Sequence, residues 1–195
     1  MKVCLFGGTF DPPHIGHLLI AQTVCEAEGF DKIIFVPACH APHKDKKDVT
    51  PVDKRLKMLE LAVADNPNFE ISDLEIRRGG ISYSIDTIRT VKKKLGLSKA
   101  QLYFLIGSDT LKKFHTWKDP YAILEECQVL VALRPGFKPS SIDRGIMEKV
   151  QFANIPRIEI SSTTIRQRWR ENKTIRYMVT QPVWEFIHKN NLYSR

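Results

Sequence analysis

The feature that most constrains this chain is an alternation of two kinds of segment. Short apolar runs, each closed by glycine or proline, are separated by longer stretches with helical spacing. Lys2–Phe6 ends at Gly7-Gly8, Lys32–Val36 at Pro37, Gln101–Ile106 at Gly107, and Val129–Leu133 at Arg134-Pro135-Gly136. Phe69–Ser72 is one more short run. Between them lie Ile15–Glu28, stopped by Gly29, and a helix opened by Thr50-Pro51 with Leu56, Leu59, Ala62 and Val63 at helical spacing. A third helix is predicted over Ser84–Leu95, stopped by Gly96. No hairpin turn signal joins the apolar runs, so the strands are predicted to be parallel, with helices covering both faces. A short strand is predicted over 157–160, and helices over 162–171 and 182–190. The expectation is one α/β domain spanning 1–195. It is a doubly wound parallel sheet over about 1–160, with a small helical C-terminal extension from about 161.

Composition removes several classes. Hydrophobic residues make up 43% and charged residues 27% of 195, which supports a packed core and excludes wholesale disorder. No apolar run approaches the roughly 18 residues of a membrane span, so no membrane partner is expected. Met1-Lys2 leads straight into the first strand without a secretory core, and the four cysteines form no C-x-x-C pair. Both point to reduced thiols and a cytoplasmic protein. Cys39-His40 with His43 lacks a second ligand pair, so no metal site is read there.

The formal charge of +8 is uneven. Residues 1–50 carry 5 basic and 6 acidic side chains, whereas residues 146–195 carry 9 and 4. Such a surplus suits a polyanion, either a nucleic acid or a nucleotide. A nucleic-acid binder would interleave exposed aromatics with the cations. Here the aromatics mostly fall in strand or apolar helix positions, which argues against nucleic acid. Most of the surplus, including Lys92-Lys93-Lys94, carries no motif and is expected to face solvent.

In a doubly wound sheet, ligands sit beyond the carboxyl ends of the strands, so the segments after the strands matter most. The first reads Gly7-Gly8-Thr9-Phe10-Asp11-Pro12-Pro13-His14-Ile15-Gly16-His17 and opens the first helix. It is neither the dinucleotide fingerprint nor a Walker A loop. Its glycines nevertheless allow close approach to a ligand, and a helix N-terminus presents free N–H groups to phosphate. His14 and His17, three apart, share one face and converge on one anion. Gly16 between them leaves room for a flat base or ribose.

This segment resembles the H-x-G-H signature of the nucleotidyltransferase superfamily. The resemblance implies a Rossmann-like fold and transfer of a nucleotidyl group from a nucleoside triphosphate. Class I aminoacyl-tRNA synthetases share the literal His-Ile-Gly-His, but they need longer chains and a K-M-S-K-S-type loop that is absent here. Near the C-terminus, Ile160-Ser161-Ser162-Thr163-Thr164-Ile165-Arg166 resembles the I-S-S-T-x-I-R motif of the pyridine-nucleotide adenylyltransferases. That likeness implies ATP-phosphate contacts for Ser162, Thr163 and Arg166, a cradle of hydroxyls with a cation behind it.

Gly107-Ser108-Asp109 with Leu111, Phe114 and Trp117 is similar to the G-x-D-x-L-x-x-F-x-x-W of bacterial nicotinate mononucleotide adenylyltransferases. The likeness implies that Gly107 and Asp109 hold the adenosine and that Trp117 stacks on the pyridinium, a sensible cation–π partner. Pro42-His43-Lys44 resembles the P-P-H-K loop of that family, with Ala41 in place of the first proline. Ser82-Tyr83-Ser84-Ile85-Asp86-Thr87 resembles S-Y-T-x-D-T, and Arg134-Pro135-Gly136 resembles its R-P-G. Together these imply an ATP site of Gly7, Gly8, Thr9, Phe10, His14, Gly16, His17, Gly107, Asp109, Ser162, Thr163 and Arg166. They also imply a pyridine mononucleotide site of Lys44, Tyr83, Ser84, Asp86, Thr87, Trp117 and Arg134.

The implied reaction joins ATP and nicotinate mononucleotide into nicotinate adenine dinucleotide and pyrophosphate, with His17 and His14 catalytic and Mg²⁺ arriving with ATP. Nicotinamide mononucleotide as substrate, or another H-x-G-H enzyme such as phosphopantetheine adenylyltransferase, are the alternatives. The sequence leaves open a homo-oligomer, and residues 137–157 match no motif.

Overall fold

The computed structural model describes residues 1–42, 49–133, 137 and 142–194. Six parallel strands form one sheet: β1 (Val3–Gly8), β2 (Lys32–Pro37), β3 (Phe69–Ile71), β4 (Leu102–Gly107), β5 (Gln128–Ala132) and β6 (Val150–Ala153). Their spatial order is β3-β2-β1-β4-β5-β6. Winding runs outward from β1 to one edge, then returns to start again at β4. The order therefore reverses between β1 and β4, and a crevice opens at their carboxyl ends. β1 ends there in Gly7-Gly8, beside Val36-Pro37 of β2, and β4 ends in Gly107.

Side-chain alternation along the strands divides the core into two layers. Val3, Leu5, Val129 and Val131 face one side, where they meet Ile85, Ile88 and Val91 of α4 (Ser84–Leu95). Leu111 of α5 (Ser108–Leu111), Ile123 and Leu124 of α6 (Pro120–Glu126) and Ile146 of α7 (Arg144–Met147) complete that layer. On the other face Cys4, Ile33, Phe35 and Leu130 pack against α1 (Ile15–Glu28) and α2 (Val52–Val63). A five-residue helix, α3 (Leu74–Arg78), follows β3.

The helical C-terminal part is continuous with this second layer. Ile165 of α8 (Ser162–Arg170), with Val183 and Ile187 of α9 (Gln181–Lys189), is fully buried in the same cluster as Cys4 and Phe35. Lys54 of α2 donates to Asn190 Oδ1 at 3.0 Å and lies over the Phe186 ring.

One strand expectation is corrected. Residues 157–160 form no strand. The edge strand is β6, seven residues earlier, where Val150 and Ala153 are buried and Gln151 and Phe152 exposed. Ile158 and Ile160 still turn inward, Ile160 against the α1/α2 layer, so their apolar spacing reflects burial without pairing.

Candidate active site

At the reversal point the crevice deepens into a cavity of about 420 Å³. Gly7, Gly8, Thr9 and His17 line one part of it, and Gly107 and Asp109 another. Tyr83, Ser84 and Trp117 line the remainder, with Glu75. Nine predicted site residues, drawn from three separated segments, thus face one space.

The two histidines meet through the helix cap. His14 is the N-cap of α1, and its Nδ1 accepts the His17 backbone N–H at 3.3 Å. Reciprocally, His17 Nδ1 accepts the His14 backbone N–H at 3.2 Å. This is a capping box built from imidazoles. The rings stack, with centroids 3.6 Å apart at 21°. With each Nδ1 accepting in the cap, the neutral tautomer that these bonds require has its proton on Nε2. His14 is 3% exposed, so His17 is the ring that reaches the cavity.

Phe10 and Gly16 support this pair from behind. Phe10 is buried with φ +49° and meets the His17 ring edge-on at 5.1 Å. A Cβ on Gly8 would come within 2.9 Å of the Phe10 ring, which explains glycine at that position. A Cβ on Gly16 would meet His14 Nδ1 at 3.0 Å and Ile158 Cγ2 at 3.3 Å. The space Gly16 leaves is therefore filled by its own protein, by the His14 ring in particular.

The C-terminal motif reaches the same loop from outside the cavity. Ser162 donates its hydroxyl to the Pro12 carbonyl at 2.8 Å, and Arg166 Nη1 donates to the Asp11 carbonyl at 2.7 Å. Ser161, one residue earlier than the implied contacts begin, is the cap of α8 and accepts from the Thr164 N–H. Thr163 is exposed at the helix start.

On the opposite side, Trp117 follows a single 3₁₀ turn and rests against Phe114 (5.2 Å) and, edge-on, Phe104 (6.1 Å). Packing against two buried phenylalanines fixes the indole plane at the cavity wall. Asp86 stands at the rim, paired with Lys118 at 3.2 Å, and that ammonium lies 4.7 Å over the Tyr83 ring. Thr87 is buried behind the wall, where its hydroxyl donates to Glu75. Lys44 and Arg134, the other two residues implied for the pyridine side, lie outside the described residues. Lys92 of the basic run turns to Glu126 at 2.8 Å, so that run only partly faces solvent.

Three buried polar residues carry much of the scaffold without belonging to any quoted role. Arg55, 1% exposed, donates to four carbonyls: Thr9 (2.8 Å), Ala38 (2.8 Å), Thr50 (3.0 Å) and Cys39 (3.2 Å). It binds the loop after β1 to the loop after β2. Burial lowers its pKa, and the Asp11 carboxylate opposes that shift. Asp11, 2% exposed, accepts from the Thr50 N–H at 3.1 Å and from the Tyr193 hydroxyl at 2.8 Å. Glu75, 6% exposed, is the carboxylate behind Tyr83 and Ser84. A signal for Arg55 was present: it falls on the buried stripe of α2 with Met58, Leu59 and Ala62, where a charge needs partners.

A doubly wound sheet with a glycine-walled crevice, and stacked histidines at a helix N-terminus, defines a nucleotide-handling α/β protein. Residues 5–168 match the model of the cytidylyltransferase-like family. A probable nicotinate-nucleotide adenylyltransferase of Exiguobacterium sibiricum is 41% identical, over all of both chains. The nicotinate-nucleotide adenylyltransferase of Bacillus subtilis is 37% identical, over 99% of this chain and 98% of its own. Among solved structures, Plasmodium falciparum nicotinic acid mononucleotide adenylyltransferase complexed with NaAD superposes with a TM-score of 0.81. That match is 22% identical and covers 98% of this chain and 97% of the other, a likeness of fold. The chain belongs to the cytidylyltransferase-like family and, within it, to the nicotinate-nucleotide adenylyltransferases.

Proposed function

We propose that the protein joins ATP and nicotinate mononucleotide, giving nicotinate adenine dinucleotide and pyrophosphate. One observation carries this reading. In a single cavity His17, stacked on His14, stands by the glycine wall, and an indole fixed by two phenylalanines forms another wall.

The mononucleotide phosphate oxygen attacks the α-phosphorus of ATP, and the bond from that phosphorus to the departing pyrophosphate breaks. Both reactants are anions, so alignment and charge stabilisation dominate the barrier, and no enzyme nucleophile is needed. His17, supported by His14, donates to oxygens that gain charge in the transition state. Gly7, Gly8 and Gly107 let the nucleotide lie against the backbone. Trp117 stacks on the pyridinium face. Ser162 and Arg166, already bonded to the Asp11-Pro12 backbone, set the loop that carries the histidines. On the family resemblance alone, Lys44 and Arg134 are assigned to the mononucleotide side, Lys44 to phosphate and Arg134 to phosphate or base.

The divalent ion belongs to the substrate. Among the described residues no three His, Cys, Asp or Glu side chains gather to hold one. Asp109, exposed at the cavity wall, suits an ion that arrives on ATP and keeps much of its water. When bound, Mg²⁺ offsets charge on the departing pyrophosphate. All four cysteines are free thiols, which supports a cytoplasmic location.

The test is pyrophosphate release from ATP with nicotinate or nicotinamide mononucleotide. Release with the acid form is expected. No release with either overturns the reading, and preference for the amide redirects it to the other pyridine substrate.

A further inference from the structure

The loop that carries the histidines is held largely from the far end of the chain. Between β1 and α1, the Asp11 and Pro12 carbonyls accept from Arg166 and Ser162. The Ile15 N–H, the first of helix α1, donates to the Met178 carbonyl at 2.9 Å. The Asp11 carboxylate, three residues before His14, is closed by the Tyr193 hydroxyl. Tyr193 lies two residues from the C-terminus and lines no part of the cavity.

We propose that Tyr193 is a positioning residue for the reaction: its hydroxyl bond to Asp11 fixes the His14/His17 pair. The proposal rests on the reading of those histidines as the catalytic pair. Four observations converge on it. The bond has good hydrogen-bond length, at 2.8 Å, and joins residues 182 apart in sequence. Its acceptor is almost wholly buried, so the remaining Asp11 contacts cannot be replaced by water at no cost. The tail passes through left-handed backbone at Asn191 (φ +46°) and Tyr193 (φ +67°), the turn that brings the tyrosine back onto the loop. Finally, the hydroxyl also lies 3.7 Å from Met58 Sδ, so the ring is seated between α2 and the catalytic loop. Burial and the neighbouring carboxylate both raise the phenol, which keeps it a hydrogen-bond donor throughout the working range.

The mechanical route is short. Asp11 leads through Pro12 and Pro13 to His14, and two prolines transmit a displacement with little slack. His14 in turn stacks on His17. A shift of the Asp11 side therefore tilts both rings together, and misplacement on the ångström scale is costly to a reaction that depends on alignment.

The experiment is steady-state pyrophosphate release by wild type, Tyr193→Phe, His17→Ala and the double variant. Tyr193→Phe keeps the ring and removes only the donor. We expect kcat to fall about tenfold, the scale of one lost bond to a buried charged acceptor, with KM for ATP and mononucleotide within about twofold. In the His17→Ala background the same substitution should cost little further, because the group it positions is gone. Unchanged kcat in Tyr193→Phe overturns the proposal, as does a rise in KM alone. A full tenfold loss in the His17→Ala background also overturns it, since the tyrosine would then act elsewhere. If wild type itself releases no pyrophosphate, the fault lies with the proposed reaction and not with the tyrosine.

Discussion

The two sides of the cavity are built by different means. The histidine side consists of backbone and imidazole, held by hydrogen bonds from residues remote in sequence: Arg55, Ser162, Arg166 and Tyr193. The tryptophan side is an aromatic wall, with Trp117 on Phe114 and Phe104, joined by Ser84 and the buried Glu75 and edged by an exposed ion pair between Lys118 and Asp86. Directional bonds fix angles, whereas apolar packing fixes a surface. The first suits a site where charge moves along a defined line, and the second suits recognition of a flat ring. Substitutions on the histidine side should therefore act on kcat, and those on the tryptophan side on KM for the mononucleotide.

The sharpest way to break that division is His17→Ala. Loss of one preorganised donor to the transition state should lower kcat by roughly 10²–10³-fold with modest changes in either KM. Near-normal turnover by the folded variant would remove His17 from the chemistry. Trp117→Ala comes next. Losing a stacked aromatic is worth about 1–3 kcal/mol, so KM for the mononucleotide should rise roughly 5- to 150-fold. ATP should be little affected. Titrating both substrates separately decides the matter, because an equal effect on the two would place Trp117 outside the pyridine side.

Gly16→Ala tests whether the histidine side depends on geometry more than on stability. Alanine is the better helix former by about 1 kcal/mol. Its Cβ, however, would stand 3.0 Å from the His14 ring. We expect a melting temperature close to wild type together with about a tenfold lower kcat, the scale of a small misalignment of catalytic groups. A matching loss of stability would show that the substitution acts through the fold, and full activity would show that the ring tolerates the displacement.

The difference between the two sides also explains what the sequence disclosed. β1, β2, β4 and β5 were legible because each is a continuous apolar run ended by glycine or proline, as burial on both faces demands. α1 and α4 ended where Gly29 and Gly96 supply left-handed caps. β6 was not legible, since four residues at a sheet edge with two exposed give neither an apolar run nor a clear alternation. In the site, residues with distinctive types facing the cavity, such as His17 and Trp117, stood out. Tyr193 did not, because its partner is one distant carboxylate, and Arg55 showed only as a charge on the buried stripe of α2, since its partners are main-chain carbonyls and a carbonyl has no residue type. Ser162 and Arg166 were recognised by motif, but their bonds to Pro12 and Asp11 were not, since nothing in a linear motif shows what its side chains touch.

The smallest effect belongs to the rim. Lys118 pairs with Asp86 at 3.2 Å and lies over Tyr83, yet its side chain is 44% exposed. Exposed ion pairs contribute about 0–1 kcal/mol and exposed cation–π contacts about 0.5–1 kcal/mol, both weakened further by salt. Lys118→Ala should therefore raise KM for the mononucleotide by no more than about fivefold at low salt, and by less as ionic strength rises. Its kcat should stay at the wild-type value. The salt series carries the discrimination. If Lys118 only steadies the Tyr83 side of the cavity, wild type and variant converge as screening removes the pair. If it instead contacted a reacting phosphate inside the closed cavity, the gap would persist at high salt and appear in kcat. The division between an aligning side and a recognising side would then have to be redrawn around this lysine.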